Sequence, residues 1–219
     1  MDLGELKRLV RQGEGLHLEF KRKAHHPDKI ARELVAFANT EGGVLLVGVD
    51  DDRTVYGLKY PGEDAFALRR FLDGHCTPAL PYSLSQVPVT ARREVLILQV
   101  RPGRRKPYYL TYADPPGGRG AFVRVADKSV TASREMIQVL RHAGRERGVS
   151  LRVGEPEQVL LRHLEERSNI TLADTQKLLG ISRRQASAKL VLLVRAGLLN
   201  IHPSERGDTF SLVEEAFDF

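Results

Sequence analysis

Apolar and polar positions alternate from Leu16 to Lys21, with Leu16, Leu18 and Phe20 on one side and His17, Glu19 and Lys21 on the other, the period of a half-buried strand. The spacing then changes. Ile30, Leu34, Phe37 and Ala38 recur at i, i+4, i+7 and i+8, which lays one apolar stripe along a helix whose first turn accommodates Pro27. Asn39 to Gly43 ends that helix, and Val44 to Val49 is an unbroken apolar run, as expected of a strand covered on both faces. Upstream, Leu3, Leu6, Leu9 and Val10 predict a short amphipathic helix set off by Gly13 and Gly15. Downstream, Asp50-Asp51-Asp52-Arg53 turns into a second hairpin strand, Thr54 to Leu58, and Glu63-Asp64 leads into a helix over Ala65 to Leu72. After Pro78 and Pro81, two strands, Leu84 to Val89 and Glu94 to Val100, are joined by Thr90 to Arg93. A polar loop, Arg101 to Pro107, and a turn, Asp114 to Gly118, precede a strand over Gly120 to Ala126. Ser133 stands where a helix N-cap belongs, with Glu135 in the first turn and Met136, Ile137 and Leu140 on the buried side.

Arg141 to Gly154 mixes charges and glycines without an apolar period. The expected division is therefore a first domain over 1–143, a linker over 144–154 and a second domain over 155–219. In the second, Val159, Leu160 and Leu164, then Leu172, Leu178 and Leu179, then Ala186, Leu190, Leu193 and Val194 mark three helices, with Gly180-Ile181 as a turn and Ser182 as an N-cap. Leu198 to Ile201 and Thr209 to Leu212 complete the pattern as a hairpin. Three helices and a β-wing predict a winged helix-turn-helix.

The segments Leu18-Glu19-Phe20-Lys21, Ala36-Phe37-Ala38-Asn39-Thr40-Glu41-Gly42-Gly43, Leu45-Leu46-Val47-Gly48-Val49-Asp50-Asp51-Asp52 and Val55-Tyr56-Gly57-Leu58 closely resemble the AlbA-like DNA-binding domain of the Schlafen type found in bacterial proteins. More loosely, the resemblance takes in Arg105 to Tyr109 and Phe122 to Val125 with Ala132-Ser133, roughly residues 5 to 143. It implies an α+β domain with a mixed sheet and flanking helices, followed here by the small winged helix. Schlafen ribonucleases carry two catalytic glutamates five apart and a later aspartate, a pattern that Glu14, Glu19 and Asp50 match. Asp51 or Asp52 are alternatives for the aspartate. Proteins with this domain are often labelled ATP-binding, yet no Gly-x-x-x-x-Gly-Lys-Ser/Thr occurs, so Gly42-Gly43 is read as a tight helix-to-strand turn and ATP is not expected. The zinc cysteines of eukaryotic Schlafen proteins have no counterparts, so no structural zinc is expected.

Charge changes the picture by its distribution. The net value is +6, but residues 155–219 hold 8 Lys+Arg against 10 Asp+Glu, leaving 26 against 18 in residues 1–154. A basic first domain points to a polyanionic partner, above all nucleic acid, with DNA favoured. A single cysteine, Cys76, excludes an internal disulfide and suits a reducing compartment. With no apolar run near the twenty or so residues that span a bilayer and no signal-peptide pattern, a cytoplasmic protein without membrane contact is expected. A homodimer is one arrangement open to it.

Two sets of residues carry the candidate chemistry. Arg183, Arg184, Gln185 and Lys189 face away from the core stripe of the third helix and are placed to meet bases and phosphates, while Arg206 at the wing tip is placed to meet the backbone. Ser187 is a further candidate there. Arg104, Arg105 and Lys106, followed by Tyr108, Tyr109 and Tyr112, interleave cations with rings, a surface that holds phosphates and stacks on unpaired bases. The acidic set, Glu14, Glu19 and Asp50 with Lys21 on the strand face of Glu19, would hold Mg²⁺ or Mn²⁺ in a nuclease acting on RNA or single-stranded DNA. The bland alternatives are a solvated turn for the aspartates and a solvated loop for the arginines. The expected function is a DNA-binding transcriptional regulator, with a metal-dependent nuclease or an adaptor docking proteins through its winged helix as alternatives.

Overall fold

The computed structural model describes residues 1–111, 118–143, 151 and 153–213. Its first helix, α1 (Leu3–Gln12), starts from a capping box in which Asp2 and Glu5 each accept the other's backbone N–H. Strand β1 (Leu18–Lys21), helix α2 (Pro27–Asn39) and strand β2 (Gly43–Val47) follow, and β1 pairs with β2 in parallel, Leu18 opposite Val44. Parallel pairing needs a crossover, and α2 is it. Helix α3 (Pro61–His75), β3 (Cys76–Thr77), β4 (Tyr82–Thr90) and β5 (Arg93–Val100) come next, giving a mixed sheet in the order β1-β2-β5-β4 with β5 antiparallel to both neighbours.

Alternation along β2 and β5 sorts the core into two layers. Leu46, Val95 and Ile97 face α1, packing with Leu6, Val10, Leu18 and Phe20. Leu45, Val47, Leu96 and Leu98 face α2 and α3, packing with Leu34, Phe37 and Leu68. The central strands are thus apolar on both sides, as the run from Val44 predicts. The turn between α2 and β2 needs both glycines: Gly42 has φ +79, and a Cβ on Gly43 would lie 2.5 Å from the Phe37 ring. Both sheet edges are modified. At β1, the Glu14 carboxylate accepts the Phe20 N–H at 2.8 Å; at β4, Pro88 sits beside a register shift.

Shorter strands complete this unit: β6 (Tyr109–Thr111), β7 (Arg119–Gly120), β8 (Phe122–Val125) and β9 (Lys128–Thr131), paired as β3-β6-β7 and β8-β9. The strand expected over Thr54 to Leu58 is reduced to isolated bridges, Val49 to Val55 and Leu58 to Glu94, because Gly57 turns the chain with φ +67 against the Arg93 backbone. Tyr112 and most of the turn expected from Asp114 lie outside the described residues.

Contacts divide the chain after Thr131, into Met1–Thr131 and Ala132–Phe219. The linker expected over 144–154 lies mostly outside the described residues, while the division falls ahead of α4 and not after it. Helix α4 (Arg134–His142), capped by Ser133, packs on α7 of the second unit. The second unit continues through α5 (Glu155–Glu166), β10 (Ile170–Thr171), α6 (Leu172–Leu179), α7 (Arg183–Arg195), β11 (Leu199–His202) and β12 (Thr209–Leu212), with strands ordered β10-β12-β11. Leu160, Leu164, Leu190, Leu193 and Phe210 form its core, whereas Val159 on α5 is 39% exposed. Moving the boundary also moves charge: the first unit has 21 Lys+Arg against 16 Asp+Glu and the second 13 against 12. The second unit is then weakly basic, where residues 155–219 alone are acidic.

Candidate nucleic-acid interface

In the second unit, the α6-to-α7 turn is built as the residues predict. Gly180 takes the left-handed conformation that ends α6, and Ser182 and Gln185 form a capping box at the start of α7. Gln185 is therefore committed to its own helix end, accepting the Ser182 N–H at 3.0 Å. Lys189 pairs with Glu157 on α5, whose carboxyl is held below its ordinary range chiefly by that lysine. Ser187 donates to Glu135 on α4 at 2.5 Å. Arg183 and Arg184 remain exposed on the first turn of α7, with no hydrogen bond or ion pair to any described residue. They border a cleft of about 510 Å³ between α4 and α7, to which Arg134 and Arg195 also contribute. Arg206 is exposed in the turn between β11 and β12. At that turn the half-buried Asp208 carboxylate accepts from Ser133 Oγ, and burial pushes its pKa up.

In the first unit, the loop after β5 separates into a bound and a free half. Asn39, 2% exposed at the end of α2, donates to the carbonyls of Tyr108 and Phe122, both at 2.9 Å, and accepts the Tyr108 N–H at 2.7 Å. Tyr108 is buried, and Lys106 donates its ammonium to the Thr40 carbonyl at the C-terminal end of α2. Burial also lowers the Lys106 pKa. These two residues, expected to touch nucleic acid, instead fasten the loop to α2. Arg104 and Arg105 stay exposed, and the Arg119 guanidinium lies 4.6 Å from the Tyr109 ring centroid.

The acidic residues have protein partners. Glu19 and Lys21 do share a strand face and bond directly, but the other Glu19 oxygen accepts from Arg124 Nη1 at 3.0 Å. The same nitrogen donates to Glu33 on α2 at 2.7 Å, and Nη2 donates to the Gly15 carbonyl at 2.6 Å. Arg124 is wholly buried, its guanidinium 4.9 Å from the Phe37 ring centroid. Burial pushes the Glu19 carboxyl up against the Lys21 hydrogen bond, and Glu33 and Glu14 add repulsion. Glu14 meets the Phe20 N–H, and Asp50 pairs with Arg22 at 3.0 Å. Glu19, the centre of the expected metal set, thus has both oxygens on protein cations, and among the described residues no three His, Cys, Asp or Glu side chains form a group that could hold a metal. This arrangement does not fit Mg²⁺ or Mn²⁺. Cys76 is buried, which pushes its thiol up to about 12.

Sequence reasoning missed Arg124, Glu33 and Asn39. Arg124 and Glu33 are charged residues in otherwise apolar surroundings, which is a signal that one is buried and paired, but nothing local names the partner. Among the described residues, no helix is long and apolar enough to cross a membrane.

A sequence model of the family described as Schlafen, AlbA_2 matches residues 14–133. Among solved structures, the chain is similar to the N-terminal domain of a RecG-related protein from Nitrosomonas europaea, at 23% identity and a TM-score of 0.41, covering 56% of this chain and 91% of that one. It is also similar to the DIP2311 protein from Corynebacterium diphtheriae, at 18% identity and a TM-score of 0.45, covering 78% of this chain and 35% of that one. This chain therefore spans about a third of the length of the latter.

Proposed function

The chain belongs to the Schlafen AlbA_2 family, and from that premise we propose that it binds nucleic acid and serves as a DNA-binding transcriptional regulator. The family membership supports a nucleic-acid-related role. We read the second unit as a winged helix-turn-helix, with α6 and α7 as the helix pair and the β11–β12 hairpin as the wing. The observation that carries the reading is the exposure of Arg183 and Arg184, free of described partners, on the capped first turn of α7. That is the end of a recognition helix that reaches base edges, and guanidinium forks suit both guanine and phosphate. Gln185, Ser187 and Lys189 are spoken for by protein groups, so base reading rests on the two arginines. Exposed Arg104 and Arg105 in the basic first unit supply sequence-independent attraction.

The test uses the intact protein and duplexes that it enriches from a random pool. Arg184→Ala should weaken binding to the enriched duplex by about 1–3 kcal/mol and leave random duplex nearly unchanged. Equal losses on both would assign Arg184 to phosphate contact, and no enrichment of any sequence would overturn the regulator reading.

A further inference from the structure

A cleft of about 520 Å³ opens in the first unit where the residues after β1, the segment from Tyr56 to Tyr60 and the start of β5 meet. Its size is that of a small-molecule site, roughly 300–1,000 Å³. Arg22, Lys23, Lys59 and Arg93 line it together with His25, against one carboxylate, Asp64. Two of its rings are open to solvent, Tyr56 at 40% and Tyr60 at 56% exposure. Each ring has a cation on its face: the Arg22 guanidinium lies 4.4 Å from the Tyr56 centroid and the Lys59 ammonium 5.1 Å from that of Tyr60. The cations are placed by the fold, since Asp50 holds Arg22 at 3.0 Å and Arg93 donates to the Gly57 carbonyl at 3.1 Å. Lys23 has no hydrogen bond or ion pair with any described residue.

We propose that this cleft takes a single unpaired nucleotide, with its phosphate among Arg22, Lys23 and Lys59 and its base on the exposed face of Tyr60. An excess of cations alone would suit any anion. The open tyrosine rings add the requirement for a planar aromatic group, and a nucleotide joins the two in one ligand. Bases within a duplex are stacked on both faces and cannot lie on a ring, so the ligand is a nucleotide of a single strand or a free mononucleotide. Asp50 is then a positioning residue: it fixes Arg22 beside Tyr56 and touches no ligand. The inference rests on the nucleic-acid reading for its occupant, but not for its chemistry.

The experiment measures fluorescence polarisation of the intact protein with a labelled single strand of about twelve nucleotides, within the ~4–16 nucleotide span of single-strand sites, and with the matching duplex. Tyr60→Ala should weaken single-strand binding about tenfold and change duplex binding less than twofold. Tyr60 makes no side-chain bond to the α3 terminus that it precedes, so its loss leaves the helix cap as it was. Tyr60→Phe keeps the ring and should bind as the unaltered protein does. A loss shared equally by both nucleic acids overturns the proposal. A second arm titrates adenosine monophosphate and follows tyrosine emission, which is readable because the chain has 6 Tyr and no Trp. A response lost in Tyr60→Ala upholds the cleft even if no strand or duplex binds, an outcome that would fail the nucleic-acid reading alone. If strands bind independently of Tyr60 and the mononucleotide gives no Tyr60-dependent response, the cleft proposal fails and the nucleic-acid reading stands.

Discussion

Arg124 Nη1 serves two carboxylates, Glu19 at 3.0 Å and Glu33 at 2.7 Å, from a position with no solvent exposure. Burial raises the Glu19 pKa from its ordinary 4.5, and the neighbouring Glu33 adds to the rise, against the lowering effect of the Lys21 hydrogen bond. Folding therefore increases proton affinity at Glu19. Its favourable contribution is complete below about 4.5, the unfolded value, and is lost as the pH rises through the higher folded value. Glu19→Gln removes that dependence, so the variant's melting temperature should fall less than the natural protein's as pH is raised from about 4.5. Parallel profiles, recorded by calorimetry, would show that Glu19 ionises as freely in the folded chain as in the unfolded one. How far these residues could be read in advance follows from distance along the chain. That Glu19 and Lys21 share a face follows from the strand's period of two, and the structure has them bonded. Arg124 is 105 positions from Glu19, and no periodicity reaches that far. The tie of Lys106 and Tyr108 to α2 was hidden for a related reason, because Asn39, whose side chain organises their loop, is 69 positions from Tyr108.

Among the elements, α4 belongs with the helices that follow it and not with the strands that precede it. Its cap and its apolar positions are legible from Ser133 to Leu140, but composition alone placed it with the preceding strands, since the charge-rich stretch begins only at Arg141. Packing decides otherwise, through the bond between Ser187 and Glu135, the Ser133–Asp208 bond and the seating of α4 on α7. Short strands were illegible for a different reason: β3 and β7 have two residues each, too few for any period to show. The bonds of α4 give an element-scale expectation. Glu135 is 7% exposed, so Glu135→Leu removes a buried acceptor from Ser187 and should lower the second unit's stability by about 1–3 kcal/mol in urea denaturation. A change below about 0.5 kcal/mol would mean that apolar packing alone holds α4 to α7.

At the scale of the molecule, positive charge is spread over both units and is greater in the first, 21 Lys+Arg against 16 Asp+Glu. Binding to random duplex should therefore fall steeply as salt is raised, by counterion release. Replacing both Arg104 and Arg105 with Gln should flatten the slope of log affinity against log salt by about 2. An unchanged slope would place the phosphate path elsewhere on the first unit.

The treatment of the sheet margins bears on how the protein behaves when crowded. An open β-edge invites the same edge of another copy, and chains that leave it bare tend to precipitate or form fibrils. Here Glu14 occupies the Phe20 amide on one margin, and Pro88, which has no amide hydrogen, interrupts the other beside a register shift. The carboxylate that chemistry would have claimed as a metal ligand covers a strand margin instead, so Glu14→Ala should raise light scattering at high protein concentration, and unchanged scattering would mean that the margin is protected by other means.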